Sequence, residues 1–542
     1  MPRSMLSVSL RAARLAARLL AVFAAAAVAQ EGALAAALPA APKTFDSSYA
    51  TPSGKTLTVA AGGNLQAALD QAQLGDTIVL EAGATFRGPF KLPNKTVGSG
   101  WIYVVSSHLS NLPPSGTRVS PANATNMPKI LAPNGLNALK TLANSHHFRF
   151  VGIEFAPAPE TTRIYAVVVI GDADTSPATL PHHVVFDRCY VHGNPNSNDR
   201  RGIAMDGAYV AVVDSYISDF HEEGADSQGL WAYNTAGPLQ IRNNYIEAAG
   251  ENVMFGGADS RDPALVPADI EIRNNYFFKP LSLLATKYTM KNLLEFKSAK
   301  RVLVTGNTFE NNPARSQNGF AILVTPRNGG KAPWSVTSDI EITGNTLINV
   351  GSGFNIMGQD VNPPTLMTER VLVRDNLMGV TGLNGADGKA FQFISGGSDY
   401  TVDHNTIINT TTTRNSALAV AEATRGKVSN LEFTNNLSTR TGYGFFGSGV
   451  GEGTRALDTN FSNWTFSKNV LIDRPANAYP AGNFFPGGVA TVGFANYAGG
   501  NYTLAAGSPY KNAATDGSDI GVNGGAATNG VLPNPPTNVV VK

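Results

Sequence analysis

"IRNNYIEAA" (241–249) is followed by "IRNNYFFKP" (272–280), "VTGNTFENN" (304–312) and "ITGNTLINV" (342–350). "VRDNLMGV", "VDHNTIIN", "FTNNLSTR" and "FSKNVLID" then continue the series to residue 473. The second polar residue of each unit is Asn244, Asn275, Asn307, Asn345, Asn376, Asn405, Asn436 and Asn469, at gaps of 31, 32, 38, 31, 29, 31 and 33 residues. Counting backwards, Ser215 and Cys189 take the same place. Self-similarity at such a period marks a solenoid, whose units have no core of their own and must stack.

Each unit reads as a short alternating strand, a polar corner, a second strand, a variable loop and a third strand. The third strands include "GIAMD", "GLWAY", "NVMFG", "NLLEFK", "FAILVT", "FNIMG", "AFQFI" and "ALAVA". Three short strands per turn describe a parallel β-helix, here of about ten to twelve coils. The corner asparagine is expected to supply the φ > 0 bend, and its amide to bond the equivalent amide about 4.8 Å away. The open end of a solenoid needs a cover. "NLQAALDQAQLGDTIVLEAGATF" (64–86) places Leu65, Ala68, Leu69 and Ala72 on one helical face before Gly75-Asp76, which predicts a capping helix.

Composition agrees. Only 15% of the 542 residues are charged and 55 are glycine, which suits a turn-rich all-β chain. The first residues, with Arg3, Arg11, Arg14 and Arg18 ahead of "LLAVFAAAAVA", read as a signal peptide over 1–29. No other stretch has the apolar length of a spanning helix. Without those four arginines, 37 of the 41 basic residues face 40 acids, and no basic cluster suggests a nucleic-acid partner. A secreted monomer, extracellular or periplasmic, is expected, with a linker over 30–57, the β-helix over 58–525 and a flexible tail over 526–542. The single cysteine, Cys189, cannot form an internal disulfide and reads as a buried apolar residue.

The capping helix, "GDTIVLEAGATFRGPF" and the asparagine-cornered coils together resemble the pectate-lyase-like superfamily of right-handed parallel β-helix proteins. The resemblance spans 58–525. It implies a polysaccharide groove along the third strands, and its activities range over lyases, hydrolases, epimerases and adhesins. The N-T-D, D-D, G-H-G and R-I-K motifs of its polygalacturonases are absent, as are the W-I-D-H and R-x-P-x-x-R runs of its best-known pectate lyases. No catalytic residue is carried over from the family.

Candidate residues therefore come from strand alternation. With apolar side chains inward, the outward set is Asp206, Trp231, Tyr233, Met254, Glu295, Lys297, Leu323, Thr325, Asn355 and Gln392. Lys297 is the sharpest candidate. β-Elimination of a uronate needs a base for the proton α to the carboxylate and a cation for the charge that develops there. Glu295, on the same face, favours the charged ammonium, so the two could simply neutralise each other. Two acidic loops flank the groove, "SDFHEEGADSQG" (218–229) and "AAGENVMFGGADSRD" (248–262). Their carboxylates, Asp226 and Glu251 foremost, would bind Ca²⁺, serve as catalytic acid and base, or be merely solvated. Trp231 and Tyr233 read either as a sugar platform or as packing beneath a loop. Asp206, His221, Gln228 and Arg327 complete the substrate-binding set. The adjacent pairs His146-His147 and His182-His183 are expected to split between the two faces of their strands, and so not to serve as paired metal ligands. A polysaccharide lyase leads, with a two-carboxylate glycoside hydrolase or a glycan-binding adhesion module as alternatives.

Overall fold

The computed structural model describes residues 35–133, 135–171 and 174–523. The signal-peptide reading and the tail after 525 lie outside these residues. Three long sheets of 14, 13 and 13 strands run the length of the molecule, and twelve coils place a parallel strand in all three, within the ten to twelve expected. Each coil visits them in the same order. Ala268–Arg273, Tyr276–Phe278 and Leu294–Phe296, for example, lie in the first, second and third sheets. Neighbouring coils pair in parallel until Gly451–Glu452 turns back antiparallel at the end of the third sheet. The fold is a right-handed parallel β-helix, the hand that parallel crossovers take.

Alternation builds the core. Ile270, Ile272, Phe277, Leu294 and Phe296 of this coil point inward and are fully buried, worth roughly 2 kcal/mol each against exposure. Like residues stack from coil to coil, with Phe255 over Phe296 at 5.6 Å and Phe277 over Phe309 at 4.5 Å. The cap forms as predicted. Helix Leu65–Gln71 opens at Asn64, whose side chain accepts from the Ala67 amide, and buries Leu65, Ala68 and Leu69.

The corner asparagines form one continuous ladder. The Asn307 amide and side chain both donate to Asn345 Oδ1 at 2.9 Å, Asn345 does the same to Asn376, and the run extends from Asn244 to Asn469. Ser215 and Cys189 continue it, with the Cys189 amide donating to Ser215 Oγ. Complete burial pushes the Cys189 thiol up to about 12, so it is an inert core group. One expectation is corrected. The φ > 0 bend belongs to the residue before each asparagine: Asn243, Asn274, Gly306, Gly344, Asp375, His404, Asn435 and Lys468. That leaves the ladder residue free to turn its amide into the stack.

Residues 35–50, expected as a linker, dock instead across the strand starts of the first sheet. There a second row of left-handed residues alternates in charge: Asp269, Arg301, Asp339, Arg370, Asp399 and then Asn430. Arg301 grips Asp269 with two hydrogen bonds, and Arg370 grips Asp339 likewise. The free lone pairs of the aspartates take amides of the strap: Lys43 to Asp269, Ala40 to Asp339 and Ala37 to Asp399. The spacing has a cause. Three residues of a Pro-rich extended chain, here punctuated by Pro39 and Pro42, advance about 9.3 Å, and two coils advance about 9.6 Å. Ala36 adds a bond to Glu432, and the buried Arg149, paired with Asp187 at 2.6 Å, holds the carbonyls of Ser47 and Ser48. At about 1 kcal/mol per bond, deleting 35–50 is expected to lower unfolding stability by roughly 4–6 kcal/mol. Urea denaturation of the truncated chain measures this, and a loss under about 1 kcal/mol would show the strap to be incidental.

Candidate active site

The inferred register holds on the third sheet. Trp231, Met254, Glu295, Leu323, Asn355 and Gln392 pair in one row from coil to coil. Lys297 comes next along the same face, beside Gly256, and its amide donates to Phe255 O. Its side chain emerges into a groove of about 440 Å³ whose walls include Lys291, Glu295, Gln317, Thr325, Arg327 and Asn355. Arg327 stands one coil further on, its amide bonded to the Lys297 carbonyl at 2.8 Å and its guanidinium half exposed. A salt contact of 3.6 Å to Asp360 leaves that guanidinium with donors to spare.

Behind the groove the four proposed catalytic residues converge, but around a residue that strand alternation did not single out. The Lys291 ammonium lies 2.5 Å from Asp226 Oδ1 and 3.5 Å from Glu251 Oε1. Glu251 accepts from Gln228 at 2.7 Å, and Glu295 accepts from Asn292 at 3.0 Å and lies 3.6 Å from the Lys297 ammonium. Burial pushes the Glu295 carboxyl up to about 7 against the pull of Lys297, and the negative charge of neighbouring Glu251 works in the same sense as burial. Asp226 is held low by its hydrogen bond to Lys291 in spite of burial. A second buried lysine braces the backbone from inside. Lys279 donates to the carbonyls of Ala248, Ala249 and Gly250 and to Asn252 Oδ1, pinning the turn that carries Glu251. Burial lowers its ammonium to about 7. Lys291 was legible as the first lysine of "KNLLEFK", flanking Glu295 on the other side from Lys297.

Asp226 and Glu251, the carboxylates expected foremost for Ca²⁺, both face the Lys291 ammonium. The donor set of Asp226 and Glu251 is taken up by the Lys291 ammonium, and a divalent ion would have to displace it.

The substrate-binding set is mostly corrected. Trp231 is buried, with Arg201 3.9 Å over its ring, Tyr233 stacked at 4.7 Å and its indole N–H on Gly256 O, so it has no open face for a sugar. Tyr233 is the outer ring of that stack. Asp206 is buried and accepts the amides of Tyr233 and Asn234, and burial raises it to about 7. His221 is buried and stacks on Tyr288 at 3.9 Å, and Gln228 is fully buried against Glu251. The covering groups come from other coils, Arg201 over Trp231, Glu251 on Gln228 and Tyr288 over His221, which alternation along one strand does not register. Arg327 alone of the six faces open groove.

A raised carboxyl pKa has a signed consequence. Glu295 keeps its proton in the fold to about pH 7 but loses it near 4.5 when unfolded, so its contribution is full below about 4.5 and is lost as pH rises to about 7. At 1.36 kcal/mol per pKa unit this is of the order of 3 kcal/mol. Between pH 5 and 8 the wild type is expected to lose more stability than Glu295→Gln does. Parallel pH profiles of the two would refute the assignment.

No family model matches the chain, and no curated protein matches it by sequence. Among solved structures it is similar to the PL6 family alginate lyase AlyGC, at 13% identity and a TM-score of 0.49 over 88% of this chain and 60% of that one. It is also similar to the catalytic unit of a GH87 α-1,3-glucanase from Streptomyces thermodiastaticus strain HF3-3, at 13% identity, a TM-score of 0.45 and 84% and 72% coverage. A third is a mannuronic acid specific polysaccharide family 6 lyase from human gut microbiota, at 12% identity, a TM-score of 0.46 and 80% and 91% coverage. This chain spans about three fifths of the length of AlyGC. What it shares with them is the right-handed parallel β-helix.

Proposed function

We propose that the protein is a secreted lyase that cleaves a uronate-containing polysaccharide by β-elimination in the groove above Leu294–Phe296. The observation that supports this is the juxtaposition of Lys297 and Arg327 on adjacent coils. Together with Lys291 they line one groove whose only acid among the described residues, Glu295, is drawn toward its protonated form. A site with that excess of cations suits an anionic sugar.

In this reading the neutral amine of Lys297 takes the proton α to the carboxylate. The freed electron pair forms the new C=C bond as the glycosidic C–O bond breaks, and the leaving oxygen is protonated by water. Arg327 binds the uronate carboxylate and offsets the charge that builds on it. Lys291 supplies the positive charge behind the acidic pair, where a bound cation was expected. Turnover is therefore expected to survive a chelator unchanged, and a loss of activity restored by Ca²⁺ would refute this role for Lys291.

The hydrolase reading needs two carboxyls flanking a bond at roughly 5–9.5 Å. Here Glu251 is held by Gln228, Glu295 by Asn292 and Lys297, and Asp226 is ion-paired with Lys291. The test is a polysaccharide panel followed in the near ultraviolet, where the product's double bond absorbs. New reducing ends without that absorbance would favour hydrolysis, and binding without turnover would favour the adhesion module. Either result would overturn the lyase.

A further inference from the structure

Far from the groove, at the strand starts of the first sheet, four histidines meet. His146-His147 and His182-His183 open consecutive coils, His146 pairing directly with His182. The expected split of each pair between two faces does not occur. His147 and His183 adopt left-handed backbone, with φ of 57° and 54°, and this turns both rings of each pair to one side. Within each pair the Nδ1 atoms lie 2.7 and 2.8 Å apart. Between coils the rings stack, His146 on His182 at 4.9 Å and His147 on His183 at 4.4 Å, nearly parallel. One ring nitrogen from each of His146, His147 and His182 lies within 4.8 Å of the others.

The tautomer of His146 follows from its partner. Its Nε2 is 2.9 Å from the Lys95 carbonyl, which can only accept, so Nε2 carries the hydrogen and Nδ1 presents a lone pair. That is the outer-shell arrangement of a metal-binding histidine, with its distal N–H on a backbone carbonyl. His147 then donates its Nδ1 hydrogen to His146 in the metal-free protein.

We propose that His146, His147 and His182 form a binding site for a borderline divalent transition ion, Zn²⁺ or Ni²⁺ in class, with His183 as the available fourth ligand. Imidazole suits these ions, with metal–nitrogen distances of about 2.0–2.1 Å. Tetrahedral ligands at that distance stand about 3.4 Å apart, so closing the site needs ring movements of the order of 1 Å. The ion takes the place of the Nδ1 hydrogen of His147, which moves through solvent to Nε2 of the same ring, so His147 binds as a neutral imidazole and no net proton is lost. A bound ion would clip two coils together under the edge of Trp101.

The test uses the chelator-stripped protein dialysed against Zn²⁺ or Ni²⁺ and counted by elemental analysis. About one equivalent is expected, with a rise in Tm, and His182→Ala and His146→Ala are each expected to weaken retention at least tenfold. Cu²⁺ loaded into the unaltered chain should show electron paramagnetic coupling to three or four imidazole nitrogens, a readout that does not depend on any variant folding. Substoichiometric retention, or a copper spectrum with fewer than three nitrogens, would leave the rings as an aromatic stack and overturn the site.

Discussion

Lys297→Ala is expected to lower turnover on the uronate polysaccharide by about 10³-fold while changing substrate affinity less than tenfold. A positioned general base is worth about 10²–10⁴-fold, and truncation also removes the ammonium that forms on Lys297 as the proton is transferred, beside the charge that builds on the carboxylate. The split between the two parameters is diagnostic, because a group that acts in the transition state costs rate more than binding. Arg327→Ala should show the opposite balance, since its half-exposed guanidinium is placed to hold the ground-state carboxylate. Folding is not expected to confuse the result. Lys297 sits at the outer edge of its strand, and the inward Leu294 and Phe296 are untouched by its loss. Undiminished turnover in Lys297→Ala would remove the base and with it the proposed reaction.

Asn345→Ala is expected to cost roughly 4–6 kcal/mol of stability although it touches no substrate. Asn345 Oδ1 accepts both the Asn307 amide and the Asn307 side chain, and its Nδ2 donates to Val304 O, Thr343 O and Asn376 Oδ1. Alanine strands buried donors and acceptors on both neighbouring coils, at about 1–3 kcal/mol for each group left unpaired. Because stability in a stacked repeat is shared between neighbours, unfolding should become biphasic about this coil. Gly344→Ala attacks the same corner through the backbone, whose φ of 65° penalises a Cβ, and it should be milder. A loss under about 1 kcal/mol for Asn345→Ala would mean that the ladder is decoration.

The solenoid was legible because its signal repeats. Eight asparagines at one structural position and apolar alternation in every strand report the same fold many times over. The left-handed residue could not be assigned from that pattern alone, since "NN", "GN", "DN", "HN" and "KN" all satisfy the corner and only glycine hints at the position. The site was partly legible, because Glu295 and Lys297 follow from local alternation and share a strand. Lys291, Asp226 and Glu251 meet through loops of different lengths, and nothing in a single strand encodes that meeting. The strap was missed because its partners lie hundreds of residues away.

That distance bears on how the molecule is made. Neighbouring corner asparagines lie 29 to 38 positions apart, so coils can form progressively as the chain lengthens, but Ala36 meets Glu432 across 396 positions and Ala37 meets Asp399 across 362. This early-synthesised segment must therefore wait for nearly the last coils before it can settle. Slow, late closure of this seam is the expected final event of folding, and its reopening the first event of mechanical or thermal failure.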